Sequence, residues 1–296
     1  MSSICVIGAG KWGQALHFAL SQNQKCLITS RTKREIENFV TLDEALSCEF
    51  LVIAIPAQQI REWLKENFIY KNQKILVAAK GIEASTGAFL KEIYEEFIPS
   101  HNLGFISGPS FASEVIQGLP TALVLNATSK EYYESFAPLF PKFIKTYYSD
   151  DVIGAEIAGA YKNVLAIASG ICDGLHLGQN ARASLISRGL VEMDRFGSFY
   201  GSHKDTFIGL SGAGDLFLTA SSTLSRNFRV GLGLAKGKSL DLILEELGEV
   251  AEGVKTSEAI YKLSKENNIY TPIANEVKLI LDGKSPQQSL KDLLSQ

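Results

Sequence analysis

Ile4 to Ile7 is a short apolar run, and Gly8, Gly10 and Gly13 follow it at once with G-x-G-x-x-G spacing. Ala15, Leu16, Phe18, Ala19 and Leu20 then lay down the apolar face of a helix. A buried strand, a tight turn and a helix in that order constrain the chain more than anything else in it. The three glycines do different things. Gly8 permits the turn, Gly10 lets backbone approach a pyrophosphate, and Gly13 lets the helix pack closely on the strand. The helix N-terminus adds N–H donors and the positive end of a dipole. The glycine spacing alone is a weak signal, and the flanking strand and helix supply its context. The segment reads as the phosphate-binding start of a dinucleotide fold, against the alternative of a purely structural glycine turn.

The first half of the chain keeps alternating strand with helix. Strands are expected at Lys25–Thr29, Phe50–Ile55, Lys74–Ala79, Leu103–Ser107, Thr121–Leu125 and Phe143–Tyr147, with helical patterns at Gln58–Asn67, Gly87–Ile98 and Lys130–Phe140. Such alternation predicts an α/β fold, a Rossmann-type doubly wound sheet that is mostly parallel with helices on both faces. From Val152 the pattern is helical only, over 152–174, 180–198, 205–209, 212–222, 226–236, 239–245, 255–266 and 273–281, with Asp151 as the N-cap of the first and a polar tail helix over 285–296. Residues 1–150 are therefore expected to form a dinucleotide-binding domain and 151–296 an all-α C-terminal domain carrying substrate and catalysis.

Composition narrows the partners. The chain has 296 residues, 46% of them hydrophobic, 21% charged, and a net charge of −3. That suits a globular protein of two domains and gives nucleic-acid binding no basic stripe to work with. Cys5, Cys26, Cys48 and Cys172 lie far apart with no metal-ligand spacing, so they read as reduced core thiols. A strand beginning by residue 4 leaves no room for a signal peptide, and no apolar run reaches membrane length. The expectation is a cytoplasmic protein without membrane insertion. The helical half is compatible with a homodimer but shows no decisive interface stripe.

One lysine stands where packing would not put it. Ile157 to Ile171 is almost wholly small or apolar, which marks a helix buried on all faces, and Lys162 is its only charge. A buried ammonium needs a partner, and burial lowers a lysine pKa into the range useful for acid–base catalysis. The alternative is a lysine that lays its stem along apolar surface and keeps its head in water. Asn163 adds a second polar group about 100° around the helix. Other polar clusters fall at strand ends and helix starts: Lys80-Gly81, Ser107-Gly-Pro-Ser-Phe-Ala112, Ser211-Gly-Ala-Gly-Asp215 leading to Thr219, and Ser225-Arg226-Asn227. Asp215 is a candidate partner for the buried lysine. Arginine beside a helix N-terminus is a ready phosphate grip. Taken singly, each cluster also fits an ordinary cap or turn.

Together the blocks resemble one family. Gly8-Ala-Gly-Lys-Trp-Gly13, Ala79-Lys80-Gly81, Ser107-Gly-Pro-Ser-Phe-Ala112, Gly159-Ala-Tyr-Lys-Asn-Val164, Leu177-Gly-Gln-Asn180, Ser211-Gly-Ala-Gly-Asp215, Ser225-Arg-Asn227 and Val250-Ala-Glu-Gly-Val254 are similar, in order, to the bacterial-type NAD(P)-dependent glycerol-3-phosphate dehydrogenases. That family interconverts dihydroxyacetone phosphate and sn-glycerol 3-phosphate and feeds phospholipid synthesis. The resemblance implies Lys162 as the acid–base residue, Lys80 as the group that holds substrate and polarises its carbonyl, and Asp215, Asn163 and Thr219 as orienting groups. It implies substrate contacts from Gly108 and Ser110, and a phosphate site from Ser225, Arg226 and Asn227. Gly8, Gly10, Lys11, Trp12, Gly13, Arg31, Lys80, Ala112, Arg226, Val250 and Glu252 would line the cofactor site, with no metal. Fixed positive groups aimed at a developing alkoxide contribute on the order of 3–4 kcal/mol per donor. Lys11 departs from the family pattern, which has a small residue there, and the stretch from Thr32 to Glu49 is shorter than usual. Both departures fall on the adenine side of the cofactor pocket.

An NAD-selective fold ends its second strand on a carboxylate that holds the ribose 2′-hydroxyl. Here that place reads Ser30-Arg31-Thr32-Lys33-Arg34, with no carboxylate before Glu35. NADPH is expected to be preferred and NADH usable; the alternative is an idle solvated basic turn. Two other functions stay open on the residues: a related two-domain dehydrogenase of a 3-hydroxy acid or keto acid, which would not need the Ser225-Arg226-Asn227 grip, and a non-catalytic NAD(P)-sensing module, which would not need Lys162.

Overall fold

The computed structural model describes residues 3–295; Met1, Ser2 and Gln296, which bound the expected domains and the tail helix, lie outside the described residues. The strands are β1 Ile4–Ile7, β2 Cys26–Thr29, β3 Phe50–Ile53, β4 Lys74–Val77, β5 Leu103–Ser107, β6 Thr121–Ala127 and β7 Ile144–Ser149. They form one sheet in the order β2-β1-β3-β4-β5-β6-β7. Every neighbouring pair is parallel except β5 with β6. The helices among them are α1 Lys11–Leu20, α2 Leu42–Leu46, α3 Ile60–Asn67, α4 Leu90–Glu95, α5 Ala112–Val115 and α6 Lys130–Phe136.

This is the doubly wound α/β sheet that the alternation predicts. Ile4 and Val6 pack into the cluster that holds Ala15, Leu16 and Ala19 of α1, while Cys5 and Ile7 are buried on the opposite face. Strands covered on both sides read as continuous apolar runs, and β1, β3 and β5 are buried along their whole length. The edge strand β7 instead alternates, with Ile144 and Thr146 buried and Lys145 and Tyr147 exposed. The chain leaves β1 toward β2 and returns to β1's other side with β3. That reversal is the switch point at which open α/β sheets take ligands, beyond the carboxyl ends of the strands.

Several boundaries differ from the sequence reading. The strands expected to end at Ile55 and Ala79 stop at Ile53 and Val77. The helix expected over Gly87–Ile98 is only α4, because Gly87 takes a φ of +84° and Ile82 bridges Phe89 antiparallel. An apolar period cannot register a left-handed glycine. The helix α2 is an addition to the expected elements, although its capping box is legible: Thr41 Oγ1 accepts from Glu44 N at 3.3 Å and Glu44 Oε2 accepts from Thr41 N at 2.9 Å. The shortened stretch after Thr32 proves to be an extension of the sheet edge. Ile28 bridges Phe39, and Thr29 Oγ1 donates to the Val40 carbonyl at 2.9 Å.

The rest of the chain is helical: α7 Val152–Gly174, α8 Gly178–Phe199, α9 Lys204–Ile208, α10 Asp215–Ala220, α11 Arg226–Ala235, α12 Leu240–Leu247, α13 Glu252–Glu266, α14 Pro272–Leu281 and α15 Pro286–Leu294. Asp151 caps α7, its Oδ1 accepting from Gly154 N at 2.9 Å. The contacts divide the chain into two compact units. One runs through Lys80 and resumes over Leu90–Ala155; the other comprises Gly81–Phe89 and everything from Glu156. Relative to a single cut at residue 150, the changeover falls inside α7, and the bridged Ile82–Phe89 segment groups with the helical unit.

Within the helical unit α7 and α11 cross backbone to backbone. A Cβ on Gly170 would lie 2.1 Å from the Phe228 carbonyl oxygen, and one on Gly231 would lie 2.1 Å from that of Ile167. Four residues on, a Cβ on Gly174 would lie 2.6 Å from Ala235. Residues four apart share a helix face, so this run of small residues is a packing seam.

Candidate active site

In the turn after β1 the three glycines stand in different surroundings. Gly8 has a φ of +112°, and a Cβ there would sit 2.5 Å from the Ala54 carbonyl oxygen just past β3. A Cβ on Gly13 would lie 1.8 Å from the Gly8 oxygen, so α1 can approach the turn only without one. Gly10 differs: a Cβ there meets nothing within 4 Å. Protein packing does not ask for glycine at that position, which leaves room for close approach by another molecule. Gly10 caps the ten-residue α1 without a side-chain hydrogen bond, and no acidic residue falls in the first turn. The turn fits the pyrophosphate of a dinucleotide.

Around it, Arg31 follows β2, next to β1, with an exposed side chain, and Lys33 and Arg34 beside it are exposed too. Lys11 and Trp12 open α1. Trp12 and Ala112, the first residue of α5, both pack on the cluster that anchors α1. Lys80 lies three residues past β4. Gly108 follows β5 with a φ of +108°, and a Cβ there would sit 2.9 Å from the Ala122 oxygen. Pairing with β6 is thus enough to demand that glycine. Ser110 Oγ donates to the Gly108 carbonyl at 3.2 Å.

In the helical unit the lysine question is decided by burial. Lys162 is 8% exposed, so its head does not reach out to water. Its Nζ donates to Asp215 Oδ1 at 2.5 Å and to Thr219 Oγ1 at 3.1 Å. Thr219 Oγ1 donates to the same carboxylate oxygen at 3.2 Å. Asp215 and Thr219 are one turn apart on α10 and are themselves buried. The segment expected as one helix over 212–222 instead starts with a π-helical turn, Leu210–Gly214, before α10. Gly214 N donates to the Gly209 oxygen at 3.0 Å, and a Cβ on Gly212 would lie 2.1 Å from the Phe207 oxygen. Such widened turns are tolerated where they aim a side chain, and this one delivers Asp215 to the lysine.

A second constellation adjoins Lys162 along α7. Asn227 Nδ2 donates to Asn163 Oδ1 at 2.9 Å, and Gly253 N donates to Asn227 Oδ1 at 3.0 Å. Ser225 caps α11, its Oγ accepting from Phe228 N at 3.2 Å. Arg226 is half-exposed and reaches Glu249 at a loose 3.5 Å. Val250 is exposed, and Glu252 opens α13.

Models for the N-terminus and C-terminus of NAD-dependent glycerol-3-phosphate dehydrogenase match residues 19–133 and 151–291. The chain belongs to this dehydrogenase family. A glycerol-3-phosphate dehydrogenase [NAD(P)+] of Sulfurimonas denitrificans is 64% identical over 295 residues, covering 100% of both chains. One from Campylobacter jejuni is 62% identical over 293 residues, 99% of each. The crystal structure of glycerol-3-phosphate dehydrogenase from Coxiella burnetii matches with a TM-score of 0.92 at 31% identity, over 100% of this chain and 99% of that one.

For a dehydrogenase of this family the helical unit holds further buried carboxylates that the sequence reading missed, Glu192 the most deeply buried of them. Glu192 on α8 accepts from Tyr161 OH, Ile273 N and Ala274 N, each at 2.8 Å. It caps α14 from another helix. Burial pushes its pKa up, and the three hydrogen bonds and Arg195 oppose that rise. The signal was present: Gly189, Met193 and Phe196 are buried on α8, and Glu192 shares their side. It is a scaffold residue that holds Tyr161, the neighbour of Lys162. Among the described residues no group of His, Cys, Asp and Glu could hold a metal ion, and no helix is long and apolar enough to cross a membrane.

Proposed function

We infer that the protein is an NAD(P)H-dependent glycerol-3-phosphate dehydrogenase: dihydroxyacetone phosphate, NAD(P)H and a proton give sn-glycerol 3-phosphate and NAD(P)+, and the reaction runs in both directions. The observation that carries this reading is the buried Lys162 ammonium held by Asp215 and Thr219, in a chain of this family. When bound, the nicotinamide cofactor would supply hydride to the carbonyl carbon. Lys162 gives its Nζ proton to the carbonyl oxygen as that oxygen gains charge, and takes it back in reverse. Asp215 and Thr219 fix the direction of Nζ through both protonation states. By the family resemblance, Lys80, Gly108 and Ser110 of the sheet half are further substrate contacts, with Lys80 in the role of polarising a carbonyl.

Arg226 is the phosphate grip. Its contact with Glu249 is long and half-exposed, so a phosphate dianion offering two acceptor oxygens displaces it readily. Ser225 and Asn227 complete that end. On the sheet half, residues 1–150, the Gly8–Gly13 turn cradles the pyrophosphate, with Trp12 and Ala112 beside it; on the helical half Val250 and Glu252 are the further cofactor contacts of this reading. Arg31 favours the 2′-phosphate, which makes NADPH the preferred cofactor. Residues 151–296 are the catalytic half. The product supplies phospholipid synthesis in the cytoplasm. A homodimer through the helical half would cover the exposed Val191 and Phe199, and light scattering checks it.

The test is NADPH oxidation by purified protein with and without dihydroxyacetone phosphate. Turnover that needs the phosphate ketone and disappears in Lys162→Ala is the expected result. Cofactor binding with no turnover on it would sink the reading and send the search to keto acids.

A further inference from the structure

Two of the four cysteines, far apart in sequence, meet on one face of the sheet. Cys5 lies within β1 on the side away from α1, and Cys48 lies in the turn between α2 and β3. The Cys5 thiol donates to Cys48 Sγ, and Ser3, just before β1, gives its hydroxyl proton to the same sulfur. Ser3 Oγ in turn accepts from Glu49 N at 3.1 Å, and Phe50 N donates to the Ser3 carbonyl at 3.0 Å, so the turn is clamped to the start of β1. A sulfur that receives two donors is favoured as the thiolate, the reactive form. The Cys48 thiol is held down at about 7, mainly by the Cys5 hydrogen bond, with burial opposing and Ser3 adding to it. The bond that Cys5 gives away, together with its burial, pushes its own thiol up. The other two cysteines stand apart. Cys26 is buried on the α1 face of the sheet, where burial pushes its thiol up to about 12, and burial likewise raises Cys172 on α7.

We propose that Cys48 and Cys5 are a modification site for hydrogen peroxide, in which Cys48 attacks and Cys5 resolves, leaving a reversible disulfide between β1 and the turn before β3. The Cys48 thiolate attacks one peroxide oxygen. The O–O bond breaks, and the other oxygen leaves as hydroxide and takes up the proton that Cys48 gave up. The Cys5 sulfur then attacks the Cys48 sulfenic acid, the S–O bond breaks, and hydroxide leaves with the Cys5 proton as water. Two thiols lose two electrons and one peroxide is reduced to two waters. Cys48 is 3% exposed, but Ser47 and Glu49 on either side of it are exposed, so its backbone runs at the surface. Such a site admits an oxidant the size of water and excludes a bulky one. Hydrogen-bonded sulfurs need close by only about 2 Å to bond. The surface turn supplies that movement, while β1 is held between β2 and β3. The link joins the two ends of the segment that holds the Gly8–Gly13 turn, α1, β2 and Arg31. The thiol pair is independent of which substrate the helical unit takes.

The test treats the whole reduced protein with a small excess of hydrogen peroxide, alkylates it in denaturant and maps the digest by mass spectrometry. The expected product is a cross-linked peptide joining Cys5 to Cys48, lighter by two hydrogens, with Cys26 and Cys172 still alkylated. Dithiothreitol removes the link. Single variants give the order of attack: Cys5→Ala stops with one added oxygen on Cys48, and Cys48→Ala leaves Cys5 unoxidised. If Cys5→Ala does not fold, Cys5→Ser keeps the volume and the same adduct is read there. Closing the loop constrains the unfolded chain, so the oxidised parent melts several degrees higher and returns with dithiothreitol, and Cys48→Ala shows no such rise. No cross-link in the folded parent, or oxidation of Cys26 and Cys172 as fast as that of Cys48, would overturn the proposal. Oxidation of Cys5 in Cys48→Ala would overturn the assigned order.

Discussion

The two halves of this chain build their sites from different materials. The sheet half uses backbone: a glycine turn, the ends of parallel strands and the first N–H groups of α1. The helical half uses side chains that find each other over long separations, Lys162 with Asp215 and Thr219, and Asn163 with Asn227. A backbone site is robust to its surroundings and intolerant of added atoms. A side-chain site tolerates neighbouring atoms but fails when one partner goes, because the other is left buried and charged or unpaired.

The largest break in that comparison is at Lys162. Lys162→Ala lowers kcat on the order of 10²–10⁴-fold, and leaving the Asp215 carboxylate buried without its ammonium costs about 3–5 kcal/mol of stability. Lys162→Met with Asp215→Leu regains most of the stability and none of the turnover, as read by denaturant unfolding beside the NADPH assay. If the double variant stayed as unstable as the single one, the buried pair would not be what links the two losses.

Next come the glycines, which separate packing from ligand room within one turn. Gly13→Ala drives a Cβ onto the Gly8 oxygen and costs about 3 kcal/mol or more. Gly10→Ala meets no protein atom, changes stability by less than about 1 kcal/mol, and weakens NADPH binding measured by fluorescence titration. Equal melting temperatures for the two variants would contradict the geometry. Arg31→Asp has a smaller effect, lowering the NADPH-to-NADH ratio of kcat/KM about 10- to 100-fold while leaving Lys162 chemistry untouched.

The smallest effect is in the acid range, where the halves respond with opposite sign. Burial holds His17 below its ordinary value of 6.5, against the Cys26 carbonyl and Glu37. An unfolded chain therefore binds that proton first, and the stability this gives is full above 6.5 and is lost as pH falls through the folded value. Glu192 is raised above 4.5 by burial, so its contribution is full below 4.5 and is lost as pH rises through its folded value. His17→Gln flattens the first slope and Glu192→Gln the second, in unfolding followed at a series of pH values. Slopes unchanged by both substitutions would assign the pH dependence to other groups.

The same division governs what could be read from sequence. The α/β order, most strands and helix α7 followed from hydrophobic period, and the glycine turn from spacing, because local sequence dictates local backbone. Lys162 was visible as a charge out of place. Its partners were visible only as candidates, since Asp215 lies 53 residues away and no pattern encodes that meeting. The hydrogen bonds from Gly253 to Asn227 and from Asn227 to Asn163 join three helices and leave no local signature, and Glu192 reaches its partners across the same kind of distance. Gly87 misled the reading of α4 because a left-handed turn leaves no trace in an apolar period.

The crossing of α7 and α11 at Gly170 and Gly231 has a consequence for how such a site can change. α7 carries Lys162 and Asn163, and α11 begins at Arg226, so with the roles proposed above their separation acts as a ruler between the acid–base end and the phosphate end of a substrate. With hydrogens standing where side chains would be, that ruler is already at its shortest setting. No substitution at the seam can bring the two ends closer, while any single methyl group pushes them apart. Variation along this seam runs in one direction only, toward longer molecules than the one the present spacing fits.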